Sequence, residues 1–371
     1  MLGRGLPTWR GVAARLDLLR STGPRHAWHR LQQERALRVV VPSRRNLIAR
    51  EVWSEAAREL DASVTEIERG RFEIRRGATV AIVTGQTVAL NSRSAMALAA
   101  DKPTVYRLLA DAGLPIPERL SFAANDLRAA RVFLARDGPC VVKPARGTGG
   151  DGVTGEIRSA SELRRAALAA SRFARQLLIE SQVEGEVFRV LVLDGQLLDV
   201  VRRRRPAIRG DGRSTVEELI FAEQDRRIRA EGNPGLKPFI VDLDCILSLK
   251  RADLPLRTVL PEGSTLRVKT VTNDNSPEDN ETFRGPVSPA LASEVAAAAE
   301  VLGLRLAGVD VVTPTPAAAL AASGGAIIDV NEAPGLHHHA HVAGVDGGTR
   351  VAVPILRALL DKPTEREMVA R

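Results

Sequence analysis

Val141-Val142-Lys143-Pro144-Ala145-Arg146-Gly147-Thr148-Gly149-Gly150-Asp151-Gly152-Val153 is the stretch whose reading decides the fold. A β-branched run ends on a lone lysine, and four glycines fall within the next six positions, 147–152. Glycine has no Cβ, so such a loop can fold its amides around an anion. Lysine adds a movable point charge suited to phosphate. A flexible hairpin between two strands is the competing explanation. A count favours phosphate. Of 53 basic side chains only six are lysine, Lys102, Lys143, Lys237, Lys250, Lys269 and Lys362, and one of the six stands directly before the glycines.

Gly147 to Gly152 fits G-x-G-x-x-G, but a dinucleotide site needs a helix immediately after the glycines. Val153-Thr154-Gly155-Glu156-Ile157 reads as a strand instead. The first helix signal is the capping box Ser159-x-x-Glu162. No G-x-x-x-x-G-K-[ST] is found, which removes a P-loop. Strand, glycine loop and strand together make a flap over phosphates.

A chain of 371 residues can hold two or three lobes, each with its own core. No apolar run reaches the roughly 18–20 residues of a membrane span, and the first fifty residues lack the continuous apolar core of a secretory signal. With only Cys140 and Cys245, a reducing cytoplasm without disulfides is expected. The net charge of +8 is local: residues 1–50 carry +9, from eleven arginines against Asp17 and Glu34, and the remainder −1. Residues 1–35 therefore read as a basic arm. One tyrosine and three tryptophans make a base-stacking surface, and hence nucleic acid, an unfavoured partner.

Beyond the arm, Leu37-Arg38-Val39-Val40-Val41-Pro42 reads as a buried strand. A helix capped by Ser43 follows, with Leu47, Val52, Ala56 and Leu60 on its inner face. Phe72–Ile74 and Thr79–Val83 read as strands, closing a small α/β unit near residue 100. Lys102 opens the next helix, where its charge opposes the helix dipole, a mild misfit that suggests a role. Gln176–Val183 is an apolar strand ending on Glu180. Asp194-Gly195 is a hairpin turn whose second strand delivers Arg202 to Arg205, only alternate members of which can face a site. Ser214-x-x-Glu217 reads as another cap, and Leu266–Val271 as a strand holding Lys269. Ser288-Pro289 opens a helix. Asp310 stands mid-strand, and Asp329 and Asn331, two apart, share a strand face. Buried strand carboxylates are costly unless paired or on a metal, and three oxygen ligands on neighbouring strands suit Mg²⁺. Four of six histidines lie at His337, His338, His339 and His341. With no cysteine beside them, they read as a substrate-facing or exposed loop in preference to a dedicated metal site.

Taken in order, these motifs resemble the ATP-grasp ligases over most of the chain. The likeness is to the ligase domains of cyanophycin synthetase and the bifunctional glutathione synthetases. It rests on Asp101-Lys102 with Gly113-Leu114-Pro115-Ile116-Pro117, Val141–Pro144 with its glycines, and Ile179-Glu180 with Phe188–Val192. It rests also on Gly210–Thr215, Ala307–Val311 and Asp329–Leu336. The resemblance implies an α/β (α+β) chain: two α+β lobes, 101–185 and 186–371, clamping ATP behind a small pre-ATP-grasp unit, 36–100.

It also implies roles. Lys102 and Lys143 hold the phosphates under Gly147, Thr148, Gly149, Gly150 and Gly152. Glu180 and the Val183 backbone meet adenine, and Glu186 stands in for the ribose acid missing at Val187. Asp310, Asp329 and Asn331 bind two Mg²⁺ ions. Arg203, with Arg189 or Lys269, faces the transferred phosphoryl group, and Asn273, Gly335 and His337 border the substrate. The implied reaction phosphorylates a carboxylate, after which an amine displaces phosphate to give an amide. Phosphoryl transfer needs positioning and charge neutralisation more than a protein nucleophile, in keeping with the lack of a Ser/His/Asp pattern. The sequence departs from its relatives at Asp329, where glutamate is usual, and at Asp274–Glu278, where a glycine pair is usual. Expected partners are a small carboxylate and a small amine, amino acid or peptide, with a homo-oligomer left open. Two rivals are ligation onto a peptide or protein held by the arm, and a nucleotide-binding regulator without turnover.

Overall fold

The computed structural model describes residues 9–147, 149–229, 240–272, 274, 276–340, 342 and 350–361. Helix α1 (Trp9–Glu59) is two helices in series, because Gly23 leaves the helical path at φ 81° and ψ 173° just before Pro24. The expected strand at 37–41 is instead helical, and Pro42 sits inside the helix. β-propensity is context-dependent, and an interior proline costs a helix about 3 kcal/mol. Burial downstream offsets that cost. Ile48, Ala49, Val52, Trp53, Ala56, Ala57 and Leu60 form a continuous buried stripe. Leu47, expected inside, is 64% exposed. This stripe packs on a sheet in the order β1 (Ser63–Glu68), β2 (Arg71–Arg76) and β3 (Thr79–Thr84). Trp53 donates to the Gly85 carbonyl at 2.8 Å, which fixes the helix over the sheet edge.

Helices α2 (Arg93–Ala99) and α3 (Lys102–Asp111) lead into a four-stranded lobe. Its elements are β4 (Arg119–Ala123), α4 (Arg128–Asp137), β5 (Cys140–Pro144), β6 (Thr154–Ile157), α5 (Ala160–Ala170) and β7 (Gln176–Ser181). The strands lie in the order β4-β7-β5-β6, so the glycine stretch is the β5–β6 connection at a sheet edge. The expected Ser159 cap is present and accepts from the Glu162 amide at 3.2 Å.

The second lobe begins with β8 (Glu186–Leu193) and β9 (Gln196–Arg203), antiparallel across Asp194 (φ 49°) and Gly195 (φ 75°). Two successive left-handed residues are what a tight two-residue hairpin requires. A side unit follows: β10 (Ala207–Arg209), α6 (Val216–Arg229), α7 (Leu243–Arg251) and β11 (Thr265–Arg267). The capping box of α6 is Thr215/Glu218, one residue later than expected. The predicted strand 266–271 is regular only through Arg267. Then come β12 (Asn280–Thr282), α8 (Pro289–Val301), β13 (Leu306–Thr313), α9 (Leu320–Ser323), β14 (Ala326–Asn331), α10 (His337–Ala340) and α11 (Ala352–Leu360). The main sheet runs β12-β9-β8-β13-β14. One face is covered by α2, α3 and α8. Leu191, Leu193 and Leu306 join the core of α1, β2, β3 and α11. No described helix is long and apolar enough to cross a membrane.

Candidate active site

Two lysines meet where the lobes face each other. Strand β5 carries Lys143 inward, where its ammonium lies 2.7 Å from the Tyr106 hydroxyl and 3.1 Å from the Ile328 carbonyl. It is also 2.8 Å from Glu180 Oε1, an ion pair without hydrogen-bond alignment. Burial pulls the Lys143 ammonium below the usual lysine range, Glu180 opposes the shift, and neighbouring Lys102 adds to it. Lys102, the first residue of α3, pairs with Asp329. For Lys102 burial acts in the same direction, but Asp329, Glu180 and Asp310 outweigh it and raise the ammonium above its ordinary value.

Opposite the lysines, the β13/β14 ladder sets Asp310 directly across from Asp329, and Gly308 across from Asn331. Arg189 of β8 grips Asp310 with two parallel bonds of 2.7 and 2.6 Å. Arg203 of β9 lies 3.7 Å from the same carboxylate and donates to the Thr272 carbonyl at 3.0 Å. Burial, helped by Arg189, depresses the Arg203 guanidinium to about 10. Burial alone would raise the Asp329 carboxyl, but Lys102 and Lys143 overturn this and hold it below the ordinary value. The donors here are two carboxylates and an amide, all hard oxygen ligands. Among the described residues no group of three or more His, Cys, Asp or Glu is placed to hold a metal ion by itself. That donor set fits Mg²⁺, which keeps waters and shares substrate phosphates and does not need an all-protein shell.

These groups line one cavity of about 620 Å³, within the range of small-molecule sites. Val141, Val183 and Val187 give it an apolar lining, and Gly147, Gly149, Gly150 and Thr270–Thr272 also line it. The D-ala D-ala ligase C-terminus family matches residues 108–209. Cyanophycin synthetase from Geminocystis herdmanii is 33% identical over 270 residues, 71% of this chain and 30% of that protein. The bifunctional glutathione biosynthesis protein of Streptococcus thermophilus is 27% identical over 220 residues, 58% of this chain and 29% of that protein. A crystal structure of a bifunctional glutathione synthetase from Pasteurella multocida shares the fold. Its TM-score is 0.52 at 18% identity, covering 82% of this chain and 44% of the other.

The chain has the ATP-grasp fold. It spans about 30% of the length of the curated relatives it matches.

Not every residue expected at the ATP-grasp site reaches the cavity. Lys102, Lys143, Gly147, Gly149, Gly150, Glu180, Val183, Arg189, Arg203, Asp310, Asp329, Asn331, Gly335 and His337 do. Gly152 lines a second cavity of about 90 Å³ between the flap and α1. Glu186 is exposed at the start of β8 and pairs with Arg202 at 3.2 Å. Lys269 is fully buried away from the cavity, held at 2.7 Å by both Asp242 and Asp274. Thr148, Asn273 and His341 lie outside the described residues.

The ATP-grasp cavity also has residues that sequence reasoning did not single out. Tyr106, the chain's one tyrosine, braces Lys143 and donates to the Ile328 carbonyl at 2.6 Å. Like the lysines, it is conspicuous by its scarcity in the sequence. Arg45 and Ile48 of α1 reach the rim, as does His338. Among the described residues, the histidines of this loop do not converge on one point. His337 Nδ1 lies 2.9 Å from Gln86 Oε1, whereas His339 Nδ1 lies 2.7 Å from buried Asp199. Burial, His337 and the two arginines push the His338 imidazole well below its usual value, so it is neutral at physiological pH.

Proposed function

We propose that this chain is an ADP-forming carboxylate–amine ligase acting on amino acids or small peptides, with ATP and two Mg²⁺ ions. One observation carries the reading: the flap lysine Lys143 and the paired acids Asp310 and Asp329 face one cavity that the glycine loop also lines. Lys102, Lys143 and the glycine amides hold the triphosphate. Glu180 and the Val183 backbone take adenine. Glu186 is the weakest assignment, because it must leave Arg202 to approach a ribose. Asp310, Asp329 and Asn331 hold the Mg²⁺ ions, which when bound neutralise phosphate charge. Arg189 and Arg203 face the transferred phosphoryl group, Arg189 by partly releasing Asp310. Lys269 does not share this role; its bonds to Asp242 and Asp274 keep the Thr270–Thr272 wall in place.

In the reaction, a substrate carboxylate oxygen attacks the γ-phosphorus and ADP leaves. An amine then attacks the acyl carbon, phosphate leaves, and a proton is lost from nitrogen. Preorganised positive charge is what such a step needs. Gly335 and His337 border the acceptor in this reading, and the chain divides near residues 35, 100 and 185. A cytoplasmic location fits the two free, buried cysteines. Amine-dependent release of ADP and phosphate across an amino-acid panel, with mass analysis of the product, tests the proposal. ATP binding without release for any member of the panel would favour the regulator instead.

A further inference from the structure

Twelve charged side chains line the main cavity. Ten are engaged with other protein groups, chiefly in the pairs Lys102–Asp329, Lys143–Glu180 and Arg189–Asp310. Among the described residues, the Arg45 guanidinium and the Glu332 carboxylate are the two that have no partner. They are opposite in sign and do not pair with each other. They come from different parts of the chain, Arg45 from α1 and Glu332 from the end of β14. The backbone that carries each is held in place. Ile48, one turn after Arg45, is buried in the core beneath α1, and the Glu332 carbonyl accepts from Asn91 at 2.7 Å.

We propose that Arg45 and Glu332 hold the α-carboxylate and α-ammonium of an amino-acid substrate. The inference rests on the ligase reading and names which substrate groups are bound without reacting. A guanidinium presents parallel donors to a carboxylate, and a carboxylate accepts from an ammonium. A zwitterionic head group supplies both complements at one carbon. A head group so held does not take part in bond formation. The reacting carboxylate or amine is therefore on the side chain, or at the far end of a short peptide. Arginine is too common here to be conspicuous, with 47 copies in the chain. Only the cavity distinguishes this one.

Titration calorimetry with Mg²⁺ and a non-hydrolysable ATP analogue tests the assignment without needing turnover. The probes are L-aspartate, L-glutamate and L-lysine, and the α-amide and N-acetyl derivative of each. For at least one parent, the α-amide is expected to bind wild type roughly 10- to 100-fold more weakly, the range of a charge-assisted contact. Arg45→Ala should weaken the parent by a similar factor and show no further loss with the amide. Glu332→Gln should behave the same way toward the N-acetyl derivative. A merely structural arginine would weaken parent and amide alike in Arg45→Ala. That result, unchanged binding in both variants, or no binding of any parent to wild type would overturn the assignment. Failure of ADP release with intact, Arg45-dependent binding would instead sink the ligase reading alone.

Discussion

Lys143 is a single side chain that joins the flap strand to Tyr106, Ile328 and Glu180. Its ammonium is the buried counter-charge to Glu180, so Lys143→Ala removes the proposed phosphate ligand and strands a carboxylate. Loss of all measurable turnover is expected. Breaking one side of a buried ion pair costs about 3–5 kcal/mol, so the urea midpoint should fall as well. Lys143→Arg keeps the charge and separates the effects: stability should largely return, while turnover stays low because a wider guanidinium cannot reproduce the three contacts of the ammonium. Near-normal ADP release in either variant would remove Lys143 from the phosphate site. Residues of this kind were legible because their types are scarce or their patterns local. Lys102 and Lys143 stand out among arginines, and Asp329 and Asn331 are two apart on a strand. Asp244, Arg45 and Glu332 were not legible, because nothing local marks them and their importance comes from what the fold brings beside them.

Among the elements, helix α7 is inconspicuous in sequence yet joins two cores. Leu243 and Leu247 join the core of the flap lobe, whereas Cys245 and Leu249 join that of the side unit. Between them Asp244, fully buried, accepts from the Gly155 amide of flap strand β6 at 2.9 Å. It also accepts from the Thr270 amide at 2.7 Å, the Thr270 hydroxyl and the Val271 amide at 3.3 Å. The flap is thereby tied to the cavity wall whose Thr272 carbonyl holds Arg203. Asp244→Asn keeps one acceptor oxygen and turns the other into an NH₂ donor facing a backbone amide. It should uncouple the flap, raising the KM for ATP roughly tenfold. Thr270→Val, which removes one bond, should do so by a few fold. Unchanged ATP kinetics in a folded Asp244→Asn protein would show that the tie is structural only.

Helix α1 permits a pH test. His26 stacks on Phe221 of α6, and burial, then Arg30 and His29, lower its imidazole to about 4. The unfolded chain binds this proton near 6.5 and the folded one only near 4. Stability from His26 is therefore complete above pH 6.5, falls as pH drops through that window, and levels off below it. The full effect is at most about 3 kcal/mol. Comparing urea midpoints at pH 7.5 and 4.5, His26→Leu should lose less than wild type; an equal loss would place the acid sensitivity elsewhere. The same helix is where local propensity misled, since Val39–Val41 is a strand former until helical segments on both sides enforce the path.

Viewed as a whole, the molecule lays its basic arm against α5 of the flap lobe and α6 of the second lobe. Asp17 and Ser21 bind Arg165 of α5 at 3.0 and 2.8 Å, on the lobe that carries the flap. One helical break later, Arg25 reaches Glu217 and Glu218, and Gln33 donates to Gln224 at 3.1 Å, all on α6 of the other lobe. The +9 charge of the first fifty residues is thus partly spent on acids within the chain, an outcome that composition could not distinguish from a polyanion-binding tail. A strap anchored on both lobes limits how far they separate, and cleft opening must stretch or release it. Deleting residues 1–35 should accordingly leave the catalytic groups in place but widen the range of opening. The expected outcome is a several-fold rise in the KM for ATP, a smaller change in kcat, and faster proteolytic cutting of the 147–152 loop when no nucleotide is present. Arg165→Ala, which releases only the flap-side anchor, should give the same changes at reduced size. If the truncated protein instead kept its ATP kinetics for small amines and lost activity only toward peptide acceptors, the arm would be a docking surface for the acceptor and not a strap across the cleft.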